Sequence, residues 1–327
     1  MRVMRLPMVL AVSLLAVAST VCAQAPPKIP RVGILSAGPP SMRTSPSNLG
    51  FDKRMNELGW VEGQNFSVEY GYAEGKIERL PAIAADVAGR VDLLVAIGSE
   101  FTLGAAIQAS RTIPIVMIAI NYDPVARGYL TSLARPSGNV TGVFLQQVEL
   151  APKRLQLLKQ AIPGATRVAV LWDVLSEDQL KAAQQATASL KVELRAIEVR
   201  EAPSDLESAF REAVRGRADA ALVMASTFFY RDRERIAQLA LKHRLPTACA
   251  HPDDADAGNL MAYGANLADM FGRAAEYVDK ILRGAKPADL AVEQPTRFEL
   301  VLNLKTARTL AVAVPASLRL RADRVIE

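Results

Sequence analysis

Residues 92–124, DLLVAIGSEFTLGAAIQASRTIPIVMIAINYDP, constrain the fold more than any other stretch of the chain. Segments 93–97 and 113–120 are continuous apolar runs, the pattern of parallel strands covered by helices on both faces. Between them a tight Gly98-Ser99 turn opens a short helix through Leu103, Ala106 and Ile107. A hydroxyl at Ser99 can cap that helix, and the free N–H groups of its first turn can hold an anion. The two strands therefore deliver loops 98–102 and 121–124 to the carboxyl edge of one sheet, where open α/β sheets bind ligands. The stretch reads as one wall of a ligand-binding cleft.

The chain opens with Arg2 and Arg5, an apolar run over 8–18, and Val21-Cys22-Ala23-Gln24. These are the parts of a secretory signal peptide cleaved near Ala23, and the run is too short to span a bilayer. A lipoprotein would instead be acylated at Cys22, but Val21 is bulkier than that signal normally carries, which favours the soluble exported form. Loss of the leader leaves Cys249 as the sole cysteine, so no intramolecular disulfide is expected. It also removes two of 39 basic residues, leaving 37 against 34 acidic ones. These charges are mixed along the chain with no basic stripe, which argues against nucleic-acid binding. Roughly 300 mature residues exceed what one core usually serves, so two domains are expected.

In order, 31–36 reads as a first strand, and Ser45-Pro46 starts a helix with Phe51, Met55 and Leu58 on one face and Gly59 as its stop. A strand over 66–70 leads into Gly-Tyr-Ala-Glu-Gly, followed by a helix over 77–89. Helix 124–133 and strand 140–144 complete a βαβαβαβ series, the signature of a doubly wound sheet. After a helix over 151–161 the series restarts, with strands at 167–172, 193–199, 219–224, 246–249 and 259–263. Ser176 with Gln179, and Ser204 with Glu207, have capping-box spacing at two helix starts. A helix through Met270, Ala274, Val278 and Ile281 ends at Gly284, and 298–304 is one more strand. Two successive half-size α/β units imply two Rossmann-like lobes facing each other, with the last elements crossing back between them through several hinge strands.

Gly-Trp-Val-Glu-Gly-Gln-Asn (59–65), Tyr-Ala-Glu-Gly (72–75), Tyr-Asp-Pro-Val (122–125) and Arg-Pro-Ser-Gly-Asn-Val-Thr-Gly (135–142) carry a resemblance. So do Lys-His-Arg-Leu-Pro (242–246), Ile-Leu-Arg-Gly-Ala-Lys-Pro-Ala-Asp-Leu (281–290), Glu-Gln-Pro-Thr-Arg-Phe-Glu-Leu (293–300) and Arg-Ala-Asp-Arg-Val-Ile-Glu (321–327). Together they resemble the ABC-transporter substrate-binding proteins of the tryptophan/tyrosine-type uptake family, over nearly all of the mature chain. The resemblance implies a type I periplasmic binding fold: an exported, monomeric receptor that closes on a small molecule and hands it to a membrane permease. The lobes would comprise 29–144 with about 265–292, and 145–264 with about 293–327. The chain departs from the family at Glu100 and Phe101 after Ser99, at Ser137 in the 135–142 turn, and in the acidic stretch 250–256. The first and last of these touch the expected cleft.

Candidate ligand contacts follow from the strand ends. Ser36 and Ser41 flank the first strand-to-helix turn, where hydroxyls bind a ligand or stabilise the turn. Gly98, Ser99 and Thr102 would hold a carboxylate through hydroxyls and helix N–H groups; Ser99 also reads as a plain N-cap, and the roles are compatible. Asp123 offers a counter-ion to an amine or caps the helix that Pro124 begins. In the second lobe Trp172 ends one strand, Ser226, Thr227 and Phe228 end another, and Tyr263 lies at the crossover. Aromatic walls suit an amino acid or another partly apolar solute, although Phe228, Phe229 and Tyr230 also read as core and rim of the next helix.

Enzyme readings find no support in the motifs. The first turn lacks GxGxxG spacing, there is no P-loop, and His243 and His251 belong to no set with metal-ligand spacing, so no cofactor or metal is expected. Besides a transport receptor, the same fold could serve as a periplasmic sensing module for a membrane sensor protein.

Overall fold

The computed structural model describes residues 29–136, 138–200 and 205–327. The expected signal peptide, Ser137 and the Ser204 cap lie outside them. Strands β1 (Arg31–Ser36), β2 (Ser67–Tyr72), β3 (Leu93–Gly98), β4 (Ile115–Ala119) and β5 (Val140–Phe144) form a first sheet of order β2-β1-β3-β4-β5, parallel throughout. Strands β6 (Arg167–Trp172), β7 (Glu193–Glu198), β8 (Ala220–Val223), β9 (Thr247–Cys249), β10 (Met261–Gly264), β11 (Glu299–Asn303) and β12 (Arg324–Ile326) form a second, of order β12-β11-β10-β9-β8-β6-β7. Only the β10–β11 pairing is antiparallel.

Each sheet is covered on both faces, as its apolar runs require. On one side of the first sheet, Val95, Val116 and Ile118 pack with Phe51 and Met55 of the Pro46–Glu57 helix. They also pack with Met270, Ala274 and Val278 of the Leu267–Leu282 helix. On the other side, Leu94, Ile115 and Met117 meet Leu80, Ala84 and Leu103 of helices Leu80–Ala88 and Glu100–Ala109. The Leu267–Leu282 helix thus follows a strand of the second sheet yet packs on the first, and β11 returns to the second. With the step from β5 into the Gln147–Ala161 helix, the chain passes between the sheets three times among the described residues. The last passage is tied to the first sheet, because Phe144 N–H donates to the Glu293 carbonyl at 2.9 Å.

Two glycines make close approaches. A Cβ on Gly50 would lie 2.6 Å from the Ala268 carbonyl oxygen, so glycine there lets the two helices on that face touch. Gly98 ends β3 at φ +97°, and a Cβ would sit 3.1 Å from Thr227 Oγ1.

Two local expectations are corrected, and one further strand appears. Residues 124–128 form consecutive turns rather than a helix over 124–133; the Tyr129 and Leu130 N–H groups both return to the Pro124 carbonyl, five and six residues back, so no i→i−4 ladder continues. Ser176 does not build a capping box, because its hydroxyl turns to Asp173 and the Gln179 amide bonds the Ala225 backbone. Strand β12 extends the sheet by pairing parallel with β11.

Candidate functional site

The carboxyl ends of strands from both sheets meet at a narrow pocket with a cavity of about 30 Å³. Ser36 of β1, Tyr72 of β2 and Ile97 of β3 reach it from the first sheet, with Ile120 just beyond β4. Ser47 and Asn48, in the first turn of the Pro46–Glu57 helix, and Met42 complete that wall. The second wall is Ser226, Thr227 and Tyr230 after β8, with His251 after β9. Leu267 and Phe271 of the crossing helix close the side. Among the described residues, no Asp, Glu, Lys or Arg lines it. Such a space suits a partly apolar molecule held by hydroxyl, amide and imidazole groups.

The hydroxyls are largely committed. Ser36 Oγ accepts from Gly38 N–H at 3.1 Å, which leaves its own hydrogen to donate. Ser226 Oγ donates to Asp173 and accepts from Phe228 N–H at 3.1 Å. Tyr230 donates its phenol to Asp253 at 2.5 Å, and that burial and the nearby carboxylate push its pKa up. Both hydrogens of the Asn48 amide go to the Met42 carbonyl and Ser45 Oγ, at 2.8 and 3.0 Å. Asp173 stands behind Ser226, accepting also from the Ser176 hydroxyl at 2.9 Å and Leu175 N–H at 3.1 Å. Desolvation raises its carboxyl to about 6 in spite of these bonds.

Of the residues singled out from sequence, Ser36, Ser226 and Thr227 line the pocket. Gly98 abuts Thr227, and Phe228 lies over Gly75. Ser99 and Thr102 are buried one turn away with their hydroxyls 3.3 Å apart; the Ser99 side chain caps no N–H. Asp123 caps its turn, accepting from Val125 and Ala126 N–H at 2.8 and 3.0 Å. Ser41 is exposed. Trp172 and Tyr263 pack against the core of the second sheet rather than the pocket, Tyr263 beside Phe298 with ring centroids 6.2 Å apart. Sequence reasoning passed over Ser47, Asn48, Tyr72 and His251. Tyr72 belongs to the 72–75 motif, and His251 is the second residue of the acidic stretch 250–256.

Contacts hold the walls together. Arg127, beside the first sheet, pairs with Asp178 of the Glu177–Gln185 helix on the second and lies 2.9 Å from Glu100. Among the described residues, no cluster of His, Cys, Asp and Glu could hold a metal, and no helix is long and apolar enough to cross a membrane.

Residues 40–326 match the family model described as ABC transporter substrate binding protein. A tyrosine-binding protein of Clostridioides difficile is 24% identical over 265 residues, covering 80% of this chain and 75% of the relative. Among solved structures, the ABC domain in complex with L-Trp from Streptococcus pneumonia superposes with a TM-score of 0.79 at 20% identity, covering 91% of this chain and 99% of that one. The ligand-free, open structure of a substrate-binding protein with adhesive properties from Clostridium difficile gives 0.60, also at 20% identity, covering 91% and 99%.

Proposed function

This chain belongs to the ABC transporter substrate-binding proteins, and from that premise we propose that it closes on an aromatic amino acid or a related aromatic carboxylate for delivery to an ABC permease. The observation that carries this reading is the uncharged, partly apolar pocket built from the carboxyl ends of both sheets. One wall alone would bury too little of a small solute. The second wall completes the hydrogen bonds and excludes water, so ligand shifts an open–closed equilibrium. The tyrosine- and L-Trp-binding relatives support the ligand class. The better superposition on the L-Trp complex than on the open structure supports reading the present arrangement as the closed one.

The same proposal assigns Ser36, Ser226 and Thr227 to direct contact, with Gly98, Ser99 and Thr102 shaping the adjoining turn. It divides the chain into lobes 29–144 with about 265–292, and 145–264 with about 293–327. Packing of the Leu267–Leu282 helix on the first sheet supports that division. The receptor is an exported monomer freed of its leader near Ala23, and it returns its ligand chemically unchanged. Native mass spectrometry of freshly purified protein, followed by thermal-shift screening, tests this. L-Tyrosine, L-tryptophan or an aromatic carboxylate raises the melting temperature; a response confined to nucleotides or sugar phosphates overturns the reading.

A further inference from the structure

His251 is 3% exposed and borders the pocket, yet its Nδ1 has no hydrogen-bond partner. The backbone of Ala265, at the second passage between the sheets, favours a proton on the ring. With Nδ1 unpartnered, that influence assigns the ring's hydrogen to Nε2. Edge-to-face packing on Tyr230, centroids 5.5 Å apart, fixes the ring plane. The backbone is fixed too, since His251 N–H donates to Asp254 at 2.8 Å. Burial and the nearby Arg154 guanidinium push the ring pKa down to about 3, so the imidazole is neutral. A neutral ring protonated on Nε2 presents Nδ1 as a bare lone pair.

We infer that His251 reads a hydrogen-bond donor on the ligand, Nδ1 accepting from an ammonium, N–H or O–H group, and so separates donor-bearing solutes from isosteres that lack the donor. The surrounding bonds make this acceptor conspicuous. The Tyr230 and Ser226 hydrogens go to Asp253 and Asp173, and those of the Asn48 amide to Met42 and Ser45, so those three side chains keep only acceptor capacity for a ligand. A buried acceptor left unpaired carries a desolvation cost, and a ligand donor relieves that cost only in the occupied pocket. Rejection of a molecule lacking the donor follows from the same term. The absence of a charged side chain from the lining fits a solute of no net charge, such as a zwitterion.

This inference rests on the receptor reading, and the test separates the two. The chain has only two histidines, so nitrogen-15 spectra of the imidazoles are readily assigned with a His243→Gln control. The unliganded protein should show His251 neutral and protonated on Nε2 at neutral pH. Saturation with L-tyrosine should shift Nδ1 as expected for accepted hydrogen bonding. Affinities are then measured for L-tyrosine, L-phenylalanine (no phenol) and 3-(4-hydroxyphenyl)propanoate (no ammonium). One of the two analogues should bind about ten- to hundredfold more weakly than L-tyrosine. His251→Phe, and independently His251→Gln, should narrow that gap, His251→Phe the more. A ring protonated on Nδ1, an Nδ1 signal unmoved by saturating ligand, or an equal loss for all three compounds in His251→Phe overturns the inference and leaves the receptor standing. Failure of all three to bind the wild type overturns both.

Discussion

Arg127 spans the two halves of the molecule, pairing with Asp178 across the cleft while its Nε lies 2.9 Å from Glu100 on its own side. Glu100 is committed within the first wall. It sits next to Ser99 yet faces Arg127, so its charge is spent on holding the cation that links the walls.

That pair should act on closure rather than on ligand contact. All three side chains are partly exposed, so the link contributes only about 0–1 kcal/mol. Asp178→Ala is expected to weaken ligand affinity a few-fold, mainly through faster dissociation, and the difference from wild type should shrink as salt is raised. Stopped-flow dissociation at low and high salt checks this.

Two buried carboxyls set a pH dependence of stability. Desolvation raises Asp173 to about 6 and Asp254 to about 7, from an ordinary 3.8. The native state therefore holds protons that the unfolded chain has released between roughly pH 4 and pH 7. Stability from these groups is highest below that window and falls as pH rises through it, on the order of 1–3 kcal/mol each. Asp173→Asn should remove its share, so the mutant-minus-wild-type melting difference becomes more favourable to the mutant from pH 5 to pH 8. A difference independent of pH contradicts the assignment.

Gly98 is expected to resist substitution. Its φ of +97° is unfavourable for any other residue, and a Cβ would press on Thr227 Oγ1 from the opposite wall. Gly98→Ala should cost about 1–3 kcal/mol and also reduce affinity, because part of the strain arises only when the walls meet. Chemical denaturation with and without ligand separates the two effects.

Trp172 and Tyr72 should part company. Trp172 packs with the core of the second sheet, whereas Tyr72 borders the pocket. Trp172→Ala should lower stability by about 2–3 kcal/mol with affinity unchanged. Tyr72→Ala should do the reverse, and calorimetry of ligand binding beside thermal unfolding reads both.

Much of this architecture was legible because a parallel strand buried on both faces has to be apolar along its length. Strands β1, β5 and β6 match the expected bounds, and β3 and β4 match within two residues. Strand β12 escaped, since Arg324-Val325-Ile326 is short, charged at one end and paired with a single strand, β11. Strand ends point to a site within one sheet, which is why Ser36 and Ser226 were found. What faces them is decided by how two distant segments are rotated against each other. That long-range information brought His251 and Tyr72 to the pocket and turned Trp172 and Tyr263 into core.

The three passages of chain between the sheets restrict how this molecule can move. A single tether would let the halves tumble apart; three nearly adjacent ones suppress sliding and twisting and leave a swing about the line through them as the soft coordinate. One such passage holds Ala265, whose backbone acts on the His251 ring, and another begins at Gln146, held at φ +53°. Filling the pocket and setting the angle of that swing are thereby mechanically joined, so the outer faces of the two halves can advertise occupancy to a membrane partner that never touches the solute.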